Sequence, residues 1–156
     1  MTYCISGLDP AQFASYFGLD DKALEDHRAR RMTATSGTGF PCRVSLHDAE
    51  EGEELLLINH VNHDVETPYR NAFAIYVRAN AGEAARFVDE VPPVMQGRPI
   101  ALRGYTVGGM LEAAELAMPD KADETIRQML DNPQIAYIDA HNAAYGCFAA
   151  RVTRHV

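Results

Sequence analysis

Residues 42–61, CRVSLHDAEEGEELLLINHV, decide how the rest of the chain is read. Cys42, Val44 and Leu46 alternate with Arg43, Ser45 and His47, the two-residue period of a strand with one apolar face. Asp48 to Glu54, with Gly52 inside, is acidic and turn-prone, and reads as a hairpin connection. Leu55 to Val61 is then an apolar strand, too apolar to face water on one side. Downstream, Phe73, Ile75 and Val77 mark another strand, entered from Pro68-Tyr69. Ile100, Leu102 and Tyr105 mark a fourth, after the break at Pro92-Pro93.

The flanks are more helical. Asp9-Pro10-Ala11-Gln12 predicts a helix start, with Asp9 as cap and Pro10 in the first turn. Phe13, Tyr16 and Phe17 share its face and Gly18 ends it. A short second helix is predicted over Asp21–His27, and His27–Thr35 fits either its continuation or a strand. Met110–Met118 fits helix or strand equally. Asp120 is expected to cap a helix with Ala122, Ile126, Met129 and Leu130 as its buried stripe, ended by Asn132-Pro133. Ile135–Ala140 and Cys147–Val152 read as strands around a turn near Gly146. Strands in hairpin-like succession predict an α+β fold, an antiparallel or mixed sheet with two to three short helices, in one domain spanning residues 1–156.

Composition narrows the function classes. The chain has 156 residues, 47% hydrophobic and 23% charged, as expected of a folded globular chain. Its formal charge is −8 and it has no basic run, which argues against nucleic acid and anionic membrane surfaces as partners. No stretch approaches the length of a membrane span. Only Lys22 and Lys121 are lysines; the other basic residues are arginines, which suit bidentate contacts to carboxylate or phosphate, although a GC-rich genome gives the same bias. Cys4, Cys42 and Cys147 make an odd count without a C-x-x-C pair, and the N-terminus lacks a signal-peptide pattern. Free thiols and a cytoplasmic setting are therefore expected.

The chain resembles the bacterial domain of unknown function 1203. The resemblance rests on Phe40 to Leu46, Gly52 to Leu57, Thr67-Pro68-Tyr69-Arg70, Ala74 to Val77, Leu102-Arg103-Gly104-Tyr105, and Ala136-Tyr137-Ile138 through His141-Asn142-Ala143 to Gly146-Cys147-Phe148, closing with Arg151 and Arg154. It departs from the family pattern at Ala144-Tyr145, before the Gly-Cys pair, and at Asn71-Ala72-Phe73. The resemblance implies no particular activity or cofactor.

Three constellations bear on chemistry. Arg43, Arg70 and Arg103, with Tyr69, Tyr105, His141 and Asn142, are expected to line a polar concavity for a small anionic ligand; the plainer reading is a set of ion pairs with the abundant carboxylates. Cys147 and His141 form a candidate nucleophile–base pair for an enzyme, against a small buried cysteine in a strand. Asp139 shares a strand face with His141 and could fix its tautomer, although such a pair often only bonds at a strand end. His60 and His63 are weak metal candidates, since three residues of strand point them to opposite faces; no cofactor is expected. A homodimer joined through a sheet edge or an apolar face is the remaining alternative. Ser36-Gly37-Thr38-Gly39 lacks the lysine of a phosphate-binding loop, and Gly108-Gly109 reads as a turn.

Overall fold

A computed structural model describes residues 1–156. In chain order it contains β1 (Tyr3–Ser6), single turns of tight helix at Pro10–Gln12 and Ala14–Gly18, α1 (Asp21–Asp26), β2 (Ala29–Thr33), β3 (Glu54–His63), β4 (Asn71–Arg78) and β5 (Arg86–Val88). After a helical turn at Pro93–Met95 come β6 (Ile100–Tyr105), β7 (Leu111–Ala117), α2 (Ala122–Leu130), β8 (Tyr137–Asn142) and β9 (Phe148–Arg154). The fold is α+β. Both sheets are antiparallel: a six-stranded one in the order β5-β1-β9-β8-β6-β7 and a three-stranded one in the order β2-β3-β4. No helix is long and apolar enough to cross a membrane.

The large sheet has two unlike faces. Ile138 and Ala140 of β8, Ile100 and Leu102 of β6, and Val152 of β9 pack with Ile126, Met129 and Leu130 of α2 in the main apolar core. Burying each such side chain contributes about 1.5–3 kcal/mol, so this face holds the helix in place. The alternate residues of β8, namely Tyr137, Asp139 and His141, point the other way, toward the small sheet. Between the sheets, Phe148 of β9 joins Leu56 and Ile58 of β3, Ile75 and Val77 of β4, and Phe13 and Leu24 in a second core.

Several elements differ from their sequence reading. Cys42–Leu46 is not a strand. Only Pro41 and Cys42 make single bridges, and the chain then folds into a turn closed by Leu46 N–H donating to Cys42 O (3.0 Å) and Cys42 N–H to His47 O (2.9 Å). The alternation misleads because Arg43 and Ser45 are buried along with Cys42, Val44 and Leu46. Leu46 adopts a φ of 56°, outside any strand. The helix expected from Asp9 is broken into two tight turns, although Asp9 does cap the first by accepting from Ala11 N–H (2.9 Å). Asp120 has a φ of 66° and Lys121 holds the capping position of α2 without a side-chain bond. The two ambiguous segments, His27–Thr35 and Met110–Met118, both become strands, β2 and β7. The Asp21–His27 helix and the strands now labelled β3, β4, β6, β8 and β9 agree with their readings apart from end residues.

The 42–46 turn is pinned from three sides. Arg43 N–H donates to Tyr76 O (3.0 Å), Arg43 O accepts from Leu8 N–H (2.8 Å), and Val44 O accepts from Ala85 N–H (2.9 Å). Gly7 makes the close approach possible, because a Cβ there would lie 2.0 Å from Val44 O, a backbone atom that cannot rotate away. Gly7→Ala is expected to destabilise the fold by about 2–4 kcal/mol, through overpacking against fixed backbone. Gly18→Ala, where nothing lies within 4 Å, is expected to stay within about 1 kcal/mol. Equilibrium urea unfolding of the two variants checks the contrast.

Candidate functional site

The inward face of β8 meets the end of β3 in a buried polar layer. Asp139 is fully buried and accepts two bonds from Arg151, at Nε (2.7 Å) and Nη2 (3.0 Å). Arg151 Nη2 also reaches Asn62 O (3.3 Å), and its guanidinium lies over the Tyr137 ring, 4.4 Å from the centroid. Both oxygens of the buried carboxylate are thus answered by a bidentate, charge-assisted partner, the condition under which a buried carboxylate is tolerated. His63, also fully buried, donates from Nδ1 to Tyr69 O (2.9 Å), so its Nε2 accepts from the Tyr137 hydroxyl (2.8 Å). Its ring stacks on Tyr105 with centroids 3.9 Å apart. Burial raises the Tyr105 and Tyr137 hydroxyl pKa values, which keeps both as hydrogen-bond donors.

His141 occupies the next position on that face. Its Nδ1 donates to Gly146 O (3.0 Å), leaving the Nε2 lone pair turned toward Arg103 Nη1 at 3.5 Å. Phe73 and Phe148 pack edge-on against the ring. Burial, first, and then the positive charges of Arg103 and Arg43 push its pKa down to about 4, despite the bond to Gly146 O and the charge of Asp139. The imidazole is therefore neutral near pH 7. Gly146 makes the arrangement possible: at φ 79° it closes the 142–147 turn, through bonds between Gly146 N–H and Asn142 O (2.7 Å) and between Asn142 N–H and Cys147 O (2.9 Å).

Beyond His141 lies Arg43, and here the accounting does not close. Arg43 is 2% exposed, the largest of the fully buried side chains. Its Nη2 donates to Cys147 Sγ (3.3 Å), while its Nε and Nη1 are buried without any partner. No carboxylate comes within ion-pair distance of Arg43, Arg98 or Arg103. Burial lowers the Arg43 pKa, and Arg98 adds a second repulsive positive charge. The guanidinium sits at a cavity of about 430 Å³ whose polar lining includes Arg98, Asn142, Tyr145 and Cys147, and whose apolar wall includes Phe73 and Tyr76. No Asp or Glu lines it. Asn142 Oδ1 accepts from Ala144 N–H (3.2 Å). Other clefts on the molecule reach 530 Å³, but none is lined by a buried, unpaired cation.

The expected anion-binding set is thus divided. Arg43 and Asn142 line the cavity. His141 and Arg103 stand behind it, bonded to each other, with the Arg103 guanidinium 5.8 Å from the Phe73 ring centroid. Tyr69 and Tyr105 belong to the His63 group. Arg70 is outside the site: it is exposed and paired with Asp64 (3.1 Å), a carboxylate six residues back on the same loop. Cys147 is half-buried in the cavity wall, but its neighbour is Arg43 and both nitrogens of His141 are committed elsewhere, so the expected thiol–imidazole pair does not form. Asp139 likewise serves Arg151 and not His141. His60 and His63 are separated by a bulge in β3. His60 packs on Phe13, and no cluster of three His, Cys, Asp or Glu side chains forms around either. Arg98, in a Gly-Arg-Pro loop, had no distinguishing sequence signal, and Tyr145, at a turn tip, stood out only as part of a departure from the family pattern.

A family model described as "Protein of unknown function (DUF1203)" matches residues 39–154. The chain belongs to the DUF1203 family. Searches of curated proteins and of solved structures found no match. The matched region contains every polar residue of the Arg43 cavity, whereas β1, α1 and β2 precede it.

The His141 geometry makes folding pH-dependent. Its folded pKa, about 4, lies below the ordinary 6.5, so the unfolded chain takes up the proton first. The stabilising contribution is whole above about pH 6.5 and is lost as the pH falls toward 4, a loss of roughly 3 kcal/mol. Burial lowers the His60 pKa and adds to the same trend, while Asp123 and Glu53, held below 3.8 and 4.5 by Arg127 and Arg78, act mostly at lower pH. Denaturant unfolding at steps between pH 7 and pH 4 should therefore show a shallower decline for His141→Gln than for the wild type.

Proposed function

We propose that this protein binds a small anion, a carboxylate or a phosphate-type group, in the cavity between the 42–46 turn, β4 and the β8–β9 turn. The observation that carries the reading is the Arg43 guanidinium, buried with two unpartnered N–H-bearing nitrogens and no carboxylate beside it. A buried cation is strongly unfavourable unless paired and hydrogen-bonded. An anion entering the cavity would accept from the Arg43 guanidinium, with Arg98 adding charge and the Asn142 amide a further donor. Phe73, Tyr76 and Tyr145 would cover an apolar body. A volume of about 430 Å³ suits a small metabolite. The three unbridged cysteines favour a reducing, cytoplasmic setting.

Inorganic phosphate and a simple dicarboxylate, each at matched ionic strength against chloride, should raise the thermal midpoint by roughly 2–4 °C per kcal/mol of binding. Arg43→Met should abolish that rise while retaining or improving stability in anion-free buffer, because it removes an uncompensated buried charge. A variant that is severely destabilised yet still responds to phosphate would exclude the proposal.

A second reading, a homodimer, is favoured by the outer edge of β7. Leu116, Met118 and Met110 are about half exposed along that edge. Glu112 and Glu115 on the same strand oppose plain strand addition, so side-chain packing would have to carry the contact. Sedimentation equilibrium is expected to give a two-chain mass that reverts to one chain in Leu116→Lys; a monomer at all concentrations rules this reading out.

A further inference from the structure

We infer that Cys147 is a reacting thiol that undergoes exchange with disulfides carrying a carboxylate, the anion being held by Arg43. The inference rests on the anion-site reading above and extends it to a reaction. Three observations converge. Cys147 Sγ lies 3.3 Å from Arg43 Nη2, on the wall of the same cavity. The other two nitrogens of that guanidinium are buried and unpartnered, and Arg43 lines that cavity. Cys4 and Cys42, by contrast, are 2% and 0% exposed, so Cys147 is the accessible thiol of the three.

The groups absent from the sulfur's surroundings select the chemistry. Acyl or phosphoryl transfer to a thiol expels an amine or alkoxide that needs a proton from a positioned acid. His141 does not supply that acid to Cys147, since its Nδ1 is bonded to Gly146 O and its Nε2 faces Arg103. Disulfide exchange needs none, because the leaving group departs as a stable thiolate. In the step, the Cys147 proton goes to solvent and the thiolate attacks one sulfur of the incoming disulfide. The substrate S–S bond breaks, a Cys147–S–S–R mixed disulfide forms, and the second sulfur leaves with the electron pair. The substrate disulfide is the oxidant and Cys147 the reductant. Arg43 serves as a positioning residue: it holds the substrate carboxylate and places the S–S bond beside Sγ.

The test compares two disulfide reagents by stopped-flow absorbance: 5,5′-dithiobis(2-nitrobenzoate), which carries two carboxylates, and uncharged 4,4′-dithiodipyridine. Rates are normalised to those of N-acetylcysteinamide. The wild type is expected to prefer the anionic reagent by about tenfold over that reference, the equivalent of one charge-assisted hydrogen bond. Cys147→Ser should remove the fast reaction but keep the phosphate-dependent rise in thermal midpoint. Arg43→Met should retain a reactive thiol but lose the preference. If that variant fails to fold, phosphate added to the wild type at constant ionic strength should slow the anionic reagent toward the reference ratio. An anionic-to-uncharged ratio equal to the reference, or a fast reaction surviving in Cys147→Ser, overturns the thiol assignment. If phosphate still stabilises the protein in that event, the anion site stands alone; if it does not, both readings fall.

Discussion

Two sheets that pack face to face ordinarily meet through apolar side chains, but here one of the meeting faces carries Tyr137, Asp139 and His141 in succession. Water is excluded from Asp139 and His141, so each polar atom must be answered by another protein atom. That requirement shapes the region between the sheets. Arg151 is drawn onto Asp139, the hydroxyl of Tyr137 onto His63, and the carbonyl of Gly146 onto His141. The apolar residues Phe148, Leu56 and Ile75 close the same interface beside this layer and exclude solvent from it.

Arg43 stands at the end of that layer and is the one cation in it whose requirement is unmet. Its position is not adjustable: the backbone at residue 43 is bonded to Tyr76 and Leu8, and the turn that carries it sits against Gly7. A flexible side chain on an open loop would swing into water. This one is held by its backbone and its walls, beside a thiol that lines the same cavity. Held polar groups of this kind contribute little to stability and much to preorganisation, since a ligand meeting them causes no further ordering of the protein. His141 contributes differently. Its neutral ring fills space between Phe73 and Phe148 and accepts from Arg103, which keeps a second guanidinium near the cavity without a carboxylate.

Local patterns carried much of the architecture. The apolar run Leu55–Val61, the alternation of Phe73, Ile75 and Val77, and the stripe Ala122, Ile126, Met129 and Leu130 each identify their element, because the residues that specify it are neighbours in the chain. Elements whose stability comes from remote partners were not legible this way. The four residues of β1 and three of β5 hold their strand geometry by pairing with each other across 80 or more residues of chain, and β1 pairs on its other side with β9, more than 140 residues away. The Cys42–Leu46 alternation has the period of a strand, yet hydrogen bonds to Tyr76, Leu8 and Ala85 hold it as a turn.

The sequence by itself determined the α+β class, the family, the acidic charge, and the short group of residues from which a site could be assembled, including Arg43, Asn142, His141 and Cys147. These are properties of composition and of short-range pattern. Tertiary structure alone decided which arginines are neutralised. Arg70 finds Asp64 six residues back, Arg151 finds Asp139 across a strand pair, and Arg43 finds only a sulfur more than a hundred residues away. Whether a charge is paired depends on what the fold places within a few ångströms of it, and in this protein those neighbours come from distant parts of the chain.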